Sequence, residues 1–195
     1  MTQDGIKPDP YKTQAIIDKS VPHNEEGLQA FLGLVNFFSK FIPNLSAKTA
    51  ALRSLLTKGS SWTWDSNHDH KLETLKADLT TAPVLKLFDP AQPHKISADS
   101  SKNALVRCYC KCMRKSWYPV AYASRAMNRT ECEYIQIEKE ALPEIFGIMR
   151  FQLYVYGKYF NIETDNCPLA TIFNHGLAHA PFRIQALINV ESTEV

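Results

Sequence analysis

The sequence lacks a strong excess of charge of either sign. Its 195 residues carry a formal net charge of +2, so the total charge gives no argument for binding to nucleic acid, which would need a local basic patch. The sequence also lacks a run of ~18 apolar residues, the length that spans a membrane, and it does not open on a signal peptide. These absences predict no membrane span and favour an intracellular protein of the cytoplasm or nucleus.

A Cys-x-x-Cys pair is also missing, although the chain has five cysteines. Cys108, Cys110 and Cys112 alternate along a predicted strand, and a period of two places their thiols on one face. Small buried thiols on the inner face of a strand are a better interpretation of this pattern than a metal site. The cysteines therefore favour a protein of a reducing compartment.

The composition is that of a chain that buries a core, with 45% hydrophobic and 11% aromatic residues, and the length suits one domain or two small ones. The first part is predicted to be helical. Asn24, Glu25 and Glu26 form a helix start, because a capping Asn precedes two acids that favour the helix dipole. Apolar residues follow at helical spacing, and further helices are predicted over 45–56 and 66–79.

The pattern changes after Pro83, and strands become the predicted elements. They cover residues 96–99, 105–112, 118–124 and 158–164, with a helix between the third and the fourth, and short helices follow over 169–173 and 182–188. This order predicts an α/β (α+β layered) fold in which a mixed sheet carries flanking helices. We place a domain boundary between a helical segment, 1–83, and a sheet-containing domain, 84–195.

Three acidic residues occupy comparable positions in the sheet-containing domain. Asp99 ends the first strand, Glu140 lies early on the helix and Asp165 follows the fourth strand. If the first and fourth strands are neighbours, the two aspartates meet at one edge of the sheet and the helix adds Glu140. Carboxylate oxygens suit Mg²⁺, and two such ions promote phosphodiester hydrolysis. The alternative is that each acid caps or solvates its own element.

The chain as a whole resembles the Pol polyprotein of gypsy-type long-terminal-repeat retrotransposons, from the end of the reverse transcriptase into its ribonuclease H domain. The resemblance covers about residues 5–187. Its helical motifs, similar to the polymerase exit, thumb and connection, are Gly5-Ile6-Lys7-Pro8-Asp9-Pro10, Phe31-Leu32-Gly33-Leu34-Val35-Asn36-Phe37-Phe38, Phe41-Ile42-Pro43, Trp64, Leu75-Lys76 and Pro83-Val84-Leu85. Its nuclease motifs are Pro119-Val120-Ala121-Tyr122-Ala123-Ser124-Arg125, Glu138-Lys139-Glu140 and Glu163-Thr164-Asp165.

This resemblance implies a ribonuclease H fold and hydrolysis of the RNA strand of an RNA–DNA hybrid with two Mg²⁺ ions, for which Mn²⁺ can substitute. It carries Asp99, Glu140 and Asp165 over as catalytic metal ligands, with Asp99 bridging both ions. Glu138 is expected to be solvated. The implied partners are the hybrid and the remainder of a Pol polyprotein, and polymerase chemistry is expected elsewhere, since no Asp-Asp dipeptide occurs in this chain.

The chain departs from the family pattern at three places. The family has a Gly-x-Gly-Ala-like stretch after its first Asp, whereas this chain has Val106 and Arg107 there, where glycine permits close approach of the backbone. Pro143 lies inside the predicted helix, where an interior proline costs about 3 kcal/mol, unless the helix starts late enough to place Pro143 in its first turn. The ribonuclease H-like domain is also expected to be truncated before a further acidic position. The alternative function is therefore an inactive remnant that binds nucleic acid or protein.

A basic patch is predicted at the turn between the second and third strands. Lys111, Arg114 and Lys115 surround this turn, and Trp117 adds an aromatic ring. Arg125, in the third-strand motif, extends the set. Such residues can contact a phosphate backbone and stack on bases, and the alternative is a solvated turn.

Overall fold

A computed structural model describes residues 5–98, 104–164 and 169. The two short helices predicted over 169–173 and 182–188 lie outside these ranges, apart from the helical residue Leu169. The first half of the chain is helical, as predicted. Its helices are α1 (Pro10–Ile17), α2 (Glu25–Phe37), α3 (Leu45–Ser54) and α4 (Ser66–Thr80), with a 3₁₀ turn at Ser39–Phe41.

Side-chain caps explain where these helices begin. Asn24 accepts a hydrogen bond from the N–H of Gly27 at 2.8 Å, which confirms the helix start predicted there. At α1, Asp9 accepts from the N–H of Tyr11 at 3.0 Å, and Pro10 follows in the first helical position. Asp65 and His68 form a reciprocal capping box at α4. Each cap satisfies backbone donors that a helix start leaves without an intrahelical partner.

The helices enclose an apolar core of their own. Its central side chains from α2, Leu28, Phe31 and Val35, are at most 1% exposed. Leu34 and Phe37, on the same helix, are 42% and 65% exposed, so only one face of α2 joins this core. We call residues 5–85 the helical segment.

The second half of the chain forms a four-stranded mixed sheet, which we call the sheet layer together with the helices that follow it. Its strands are β1 (His94–Ala98), β2 (Ala104–Met113), β3 (Ser116–Ala126) and β4 (Asn161–Glu163). The order across the sheet is β3-β2-β1-β4. Neighbouring strands are antiparallel except β1 and β4, which are parallel. The predicted sequence of three strands, a helix and a fourth strand is confirmed.

A long helix covers one face of the sheet. Between β3 and β4 lie α5 (Arg129–Cys132), α6 (Gln136–Arg150) and α7 (Gln152–Val155). At Gly147, α6 approaches so closely that an added Cβ would lie 2.9 Å from side-chain atoms of Ile96 and of Arg107. Glycine therefore sets the distance between this helix and the sheet.

The opposite face of β3 contacts the helical segment. The N–H of Ser46, at the start of α3, donates to the hydroxyl of Ser124 at 2.9 Å, and Tyr122 packs against the helical core. Ile6 and Leu85 form an isolated antiparallel bridge that closes the helical segment. Over the described parts of the chain, no helix combines the length and the apolar character that crossing a membrane requires.

Candidate functional site

The sheet brings together the two strands that the site requires. β1 and β4 are neighbours and parallel, and the register pairs Ile96 with Ile162 and Ser97 with Glu163. The adjacency on which the predicted site depends is thus confirmed. Asp99 and Asp165 themselves lie outside the described residues, each two positions beyond the Ser97–Glu163 pair in the sequence.

The contacts of α6 show in which direction this helix crosses the sheet. Phe151, just past its C-terminus, packs on Tyr109 with ring centroids 5.5 Å apart, and Tyr109 pairs with Ile96 in the middle of β1. Gly147, one turn earlier, lies against Arg107, which pairs with Ala98 at the end of β1. The N-terminal half of α6 is therefore directed towards the end at which β1 and β4 finish.

Glu140 belongs to that N-terminal half, and the contact of Glu144 with the sheet helps to locate it. Glu144 forms an ion pair with Arg107, and Glu140 is one helical turn before Glu144. The Glu140 carboxylate is partly exposed and accepts a hydrogen bond from the side-chain amide of Gln136 at 2.5 Å. Gln136 is one turn further towards the N-terminus, so this bond holds the carboxylate along the helix surface.

The expectation that Glu138 is solvated is wrong. Glu138 is only 6% exposed. It lies in the first turn of α6, where a carboxylate interacts favourably with the helix dipole. The helical period places positions 138, 141, 142 and 145 on the buried face. Glu140 lies on the side of α6 that also carries Glu144, and it is partly exposed, which leaves it as the accessible glutamate of the acidic motif.

Pro143 lies inside α6, as predicted, because the helix runs from Gln136 to Arg150 without interruption. A proline has no N–H to donate to the carbonyl of Lys139, four residues earlier, and its ring crowds that carbonyl. The weakened turn is the one between Glu140 and Glu144. The helix thus lacks one backbone hydrogen bond next to the candidate acidic residue.

The buried ion pair between Arg107 and Glu144 was not found by sequence reasoning. Arg107 is 3% exposed and Glu144 2%, so the pair replaces contact with water in a region that is otherwise apolar. Arg107 interrupts an apolar run in β2, and that interruption was the only available signal. Its partner is far away in the sequence, and no local pattern indicates the pair.

A second polar cluster connects β1 and β4 on the sheet face away from α6. Lys95 Nζ lies 2.9 Å from a carboxylate oxygen of Glu163, and the Ser97 hydroxyl donates to the same carboxylate. The hydrogen bond from Ser97, and then the hydrogen bond from Lys95, lower the pKa of Glu163. Sequence reasoning assigned Glu163 only to a motif, because the register that unites these residues is set by strand pairing.

The structure narrows the predicted basic patch. Arg114 and Lys115 are exposed and form a two-residue turn with φ angles of 51° and 67°. Trp117 is 38% exposed, and Lys95 lies 4.9 Å from its ring centroid. Lys111 is only 7% exposed, so the exposed part of the patch consists of Arg114, Lys115 and Trp117, and the predicted contact of Lys111 with nucleic acid stays a prediction.

Arg125 is partly exposed and forms an ion pair with Glu131. Both of its terminal nitrogens donate to the Glu131 carboxylate at 2.7 Å, and its guanidinium lies 5.4 Å from the Phe146 ring centroid. These hydrogen bonds, together with the N–H of Asn128, lower the pKa of Glu131. Arg125 therefore fastens α5 to β3, and its predicted contact with nucleic acid stays a prediction.

The described residues contain no group of three or more His, Cys, Asp or Glu side chains placed to hold a metal ion. Of the predicted ligands, only Glu140 belongs to the described residues. The donor chemistry still fits the proposed ion. Asp99, Glu140 and Asp165 would offer carboxylate oxygens, which hard divalent cations prefer, at the sheet end towards which α6 is directed.

Comparison with known families and sequences identifies relatives of this chain. The family described as an RNase H-like domain found in reverse transcriptase matches residues 64–162. The retrovirus-related Pol polyprotein from transposon 297 of Drosophila melanogaster is 33% identical over 175 residues, covering 89% of this chain and 16% of that protein. The transposon Tf2-3 polyprotein of Schizosaccharomyces pombe is 30% identical over 169 residues, covering 85% of this chain and 13% of its own length. The chain thus spans less than a fifth of these relatives.

Solved structures share the fold. The foamy viral protease-reverse transcriptase dRH in complex with double-stranded DNA superposes with a TM-score of 0.79 at 22% identity, over 99% of this chain and 34% of that one. The foamy viral protease-reverse transcriptase in complex with an RNA/DNA hybrid gives a TM-score of 0.75 at 23% identity, over 99% and 27% of the two chains. The predicted α/β architecture is thereby confirmed.

Proposed function

Because the chain belongs to the family of RNase H-like domains found in reverse transcriptase, we propose that it hydrolyses the RNA strand of an RNA–DNA hybrid. It would do so as part of a retrotransposon Pol polyprotein. The sequence relatives are transposon polyproteins, and one structure of the same fold is a complex with an RNA/DNA hybrid. These relatives support the substrate class.

A single observation carries the proposal. The parallel register of β1 and β4 places Ser97 opposite Glu163, and Asp99 and Asp165 follow at equal distances along the chain. Parallel strands end at the same edge of a sheet, where loops beyond their carboxyl ends form sites. The N-terminal half of α6, with Glu140, is directed towards this edge. The three carboxylates that the family resemblance singles out would therefore converge.

The residues present suit a divalent cation, and Asp99, Glu140 and Asp165 would hold it. Bound Mg²⁺ would supply activation of the attacking water and stabilisation of the leaving oxygen. The chain's own contributions are positional. Gln136 orients the Glu140 carboxylate through its hydrogen bond. Arg114 and Lys115, exposed on the β2–β3 turn, would attract the phosphate backbone of the substrate.

A second candidate function is a remnant that keeps the fold and has lost catalysis. It is favoured by Pro143, which weakens the turn of α6 next to Glu140. It is also favoured by Arg107, whose ion pair with Glu144 fills the space between helix and sheet. In this case the molecule would bind a hybrid or a protein partner without cleaving it.

Cleavage of an end-labelled RNA–DNA hybrid in Mg²⁺, and separately in Mn²⁺, distinguishes the two functions. We expect the wild type to cut the RNA strand and Asp99→Asn, Asp165→Asn and Glu140→Gln to lose at least about 100-fold in rate, since each removes a ligand charge. Glu133→Gln, an exposed carboxylate at the end of α5, is the matched control and should keep full activity. Cutting that survives Asp99→Asn would contradict the proposal.

An inactive but folded wild type would favour the remnant, and Pro143→Ala then separates two causes. The substitution restores a backbone N–H to α6. Cleavage that appears in this variant would locate the defect in the helix. Continued inactivity, with hybrid binding retained in a gel-shift assay, would leave the binding function.

A further inference from the structure

Two cysteine thiols of β2 lie in contact on the sheet face that α6 does not cover. Their sulfur atoms, Cys108 Sγ and Cys110 Sγ, are 3.2 Å apart. Tyr109, between them in the sequence, points to the other face, where its ring stacks on Tyr154 with centroids 5.0 Å apart. Alternation along the strand thus separates a thiol face from an aromatic face.

The electrostatic surroundings activate one of the two thiols. The hydrogen bond from the Cys108 thiol, and then the nearby Lys95 ammonium, lower the pKa of Cys110 against the opposing effects of burial and of the Glu163 carboxylate. Lys95 is the register partner of Cys110 in β1. Thiolate is the reactive form of cysteine, and a neighbouring cation is a usual cause of its stabilisation. Cys108 is partly exposed, so a small oxidant can reach the pair.

We propose that Cys108 and Cys110 form a redox-sensitive dithiol that a peroxide converts to an intramolecular disulfide. The Cys110 thiolate attacks one oxygen of hydrogen peroxide, the O–O bond breaks, and the released hydroxide takes the Cys108 proton and leaves as water. The resulting Cys108 thiolate attacks the sulfenic sulfur of Cys110, forming the S–S bond and releasing hydroxide. Counted from two neutral thiols, one peroxide is reduced to two waters while the sulfurs lose two electrons.

The strand geometry predicts that this disulfide is easily reduced. Residues two apart in a strand have Cα atoms about 6.6 Å apart, from a rise of about 3.3 Å per residue. That separation is near the upper limit of about 6.8 Å for disulfides. Strained disulfides are the labile and regulatory kind. The bond should therefore open again in reduced glutathione.

Peptide mapping of the full wild-type chain tests the proposal without any substitution. The protein is treated with hydrogen peroxide, remaining thiols are alkylated with iodoacetamide, and trypsin then cuts after Arg107 and Lys111. The released peptide, residues 108–111, contains both cysteines. We expect it to be two hydrogen atoms lighter than the reduced peptide and free of alkylation, and glutathione should reverse the change. The exposed Cys132 serves as an internal control and should remain alkylated.

If the folded strand promotes disulfide formation between Cys108 and Cys110, unfolding the protein should slow this oxidation. In the native chain the peptide should be oxidised at least about tenfold faster than Cys132, because the second step joins preplaced groups. In guanidinium chloride this advantage should fall. In a Cys108→Ser variant, dimedone should trap a sulfenic acid on Cys110. Alkylation of both cysteines after peroxide treatment, sulfinic acid without a disulfide, or a disulfide-linked dimer would each overturn the proposal.

Discussion

The two parts of the molecule bury different kinds of side chain. In the helical segment the buried polar residues are the hydroxyl-bearing Thr13 and Thr49 and the capping His68. The Thr49 hydroxyl donates within α3 to the carbonyl of Leu45 at 2.9 Å, and His68 completes the capping box of α4. These polar groups form hydrogen bonds within their own helices, and burial of the apolar core between the helices stabilises the segment.

The sheet layer buries titratable groups instead, and they are His94, Arg107, Lys111, Glu131, Glu138 and Glu144. Two of them, Arg107 and Glu144, join β2 to α6, which are distant in the sequence. Burial of a charge is costly unless its partner is present. The comparison therefore predicts that single polar substitutions act weakly in the helical segment and strongly in the sheet layer.

Arg107→Met should have the largest effect on stability. The substitution leaves the Glu144 carboxylate buried without its cation, which costs about 3–5 kcal/mol. The double variant Arg107→Met, Glu144→Met should recover most of this loss, because the buried charges are removed together. Urea unfolding followed by circular dichroism measures both. Equal losses in the single and double variants would show that the ion pair is not the reason.

Gly147→Ala should have the next largest effect on stability, and Gly33→Ala in the helical segment provides the comparison. The added methyl group would meet Ile96 and Arg107, and overpacking of this kind costs about 1–3 kcal/mol. Gly33, in α2, has no atom within 4 Å of an added Cβ, so Gly33→Ala should stabilise by about 0.5–1 kcal/mol. Opposite signs in thermal melts support the close packing of α6. A stabilised Gly147→Ala variant would contradict it.

Substitutions at the β2–β3 turn should stabilise the protein by a smaller amount and weaken its binding to a hybrid. The helical segment places an asparagine, Asn44, at its left-handed position with φ of 54°, whereas the sheet layer uses Arg114 and Lys115. Changing the tip to Arg114→Asn, Lys115→Gly should stabilise by about 1 kcal/mol, since Asn-Gly suits a turn with both φ positive. Hybrid binding, measured against salt concentration, should weaken with a shallower salt slope. Unchanged hybrid binding would show that the two side chains are solvated and do not contact the nucleic acid.

His94 should make the sheet layer sensitive to mild acid. Burial, and then the positive charges of Lys158 and Lys111, lower the pKa of this imidazole from 6.5, against the opposing effect of Asp89. The unfolded chain then binds more protons than the folded one below about pH 6.5, so stability falls as the pH is lowered through that range. Melting temperatures at pH 7.5 and 5.5 should differ less in His94→Phe than in the wild type. His70→Gln, on the exposed surface, should behave as the wild type does.

Much of the fold was predictable because its signals are local. The cap at Asn24 and the α4 bounds follow from short-range patterns, and the order of strands and helix was correct. The predicted family resemblance is confirmed by the match to residues 64–162. The boundary between 1–83 and 84–195 stays a prediction.

The candidate site was predictable only in part, because its positions depend on pairing between distant segments. The sequence pointed to Asp99, Glu140 and Asp165, and their roles stay a proposal. The error at Glu138 has a structural cause. This charged residue was expected to be solvated, whereas tertiary packing of α6 buries it. The ion pair of Arg107 could not be found because no local pattern indicates its partner.

Metal binding tests the central claim, the convergence of Asp99, Glu140 and Asp165, most directly. Melting temperatures of the wild type and of Asp99→Asn are compared across a Mg²⁺ titration. Asp89→Asn, before the start of β1, is the control. We predict stabilisation of the wild type and the control, about 2.7 kcal/mol at 100-fold over the dissociation constant, and none for Asp99→Asn. Equal stabilisation of all three proteins, or of none, would contradict the claim.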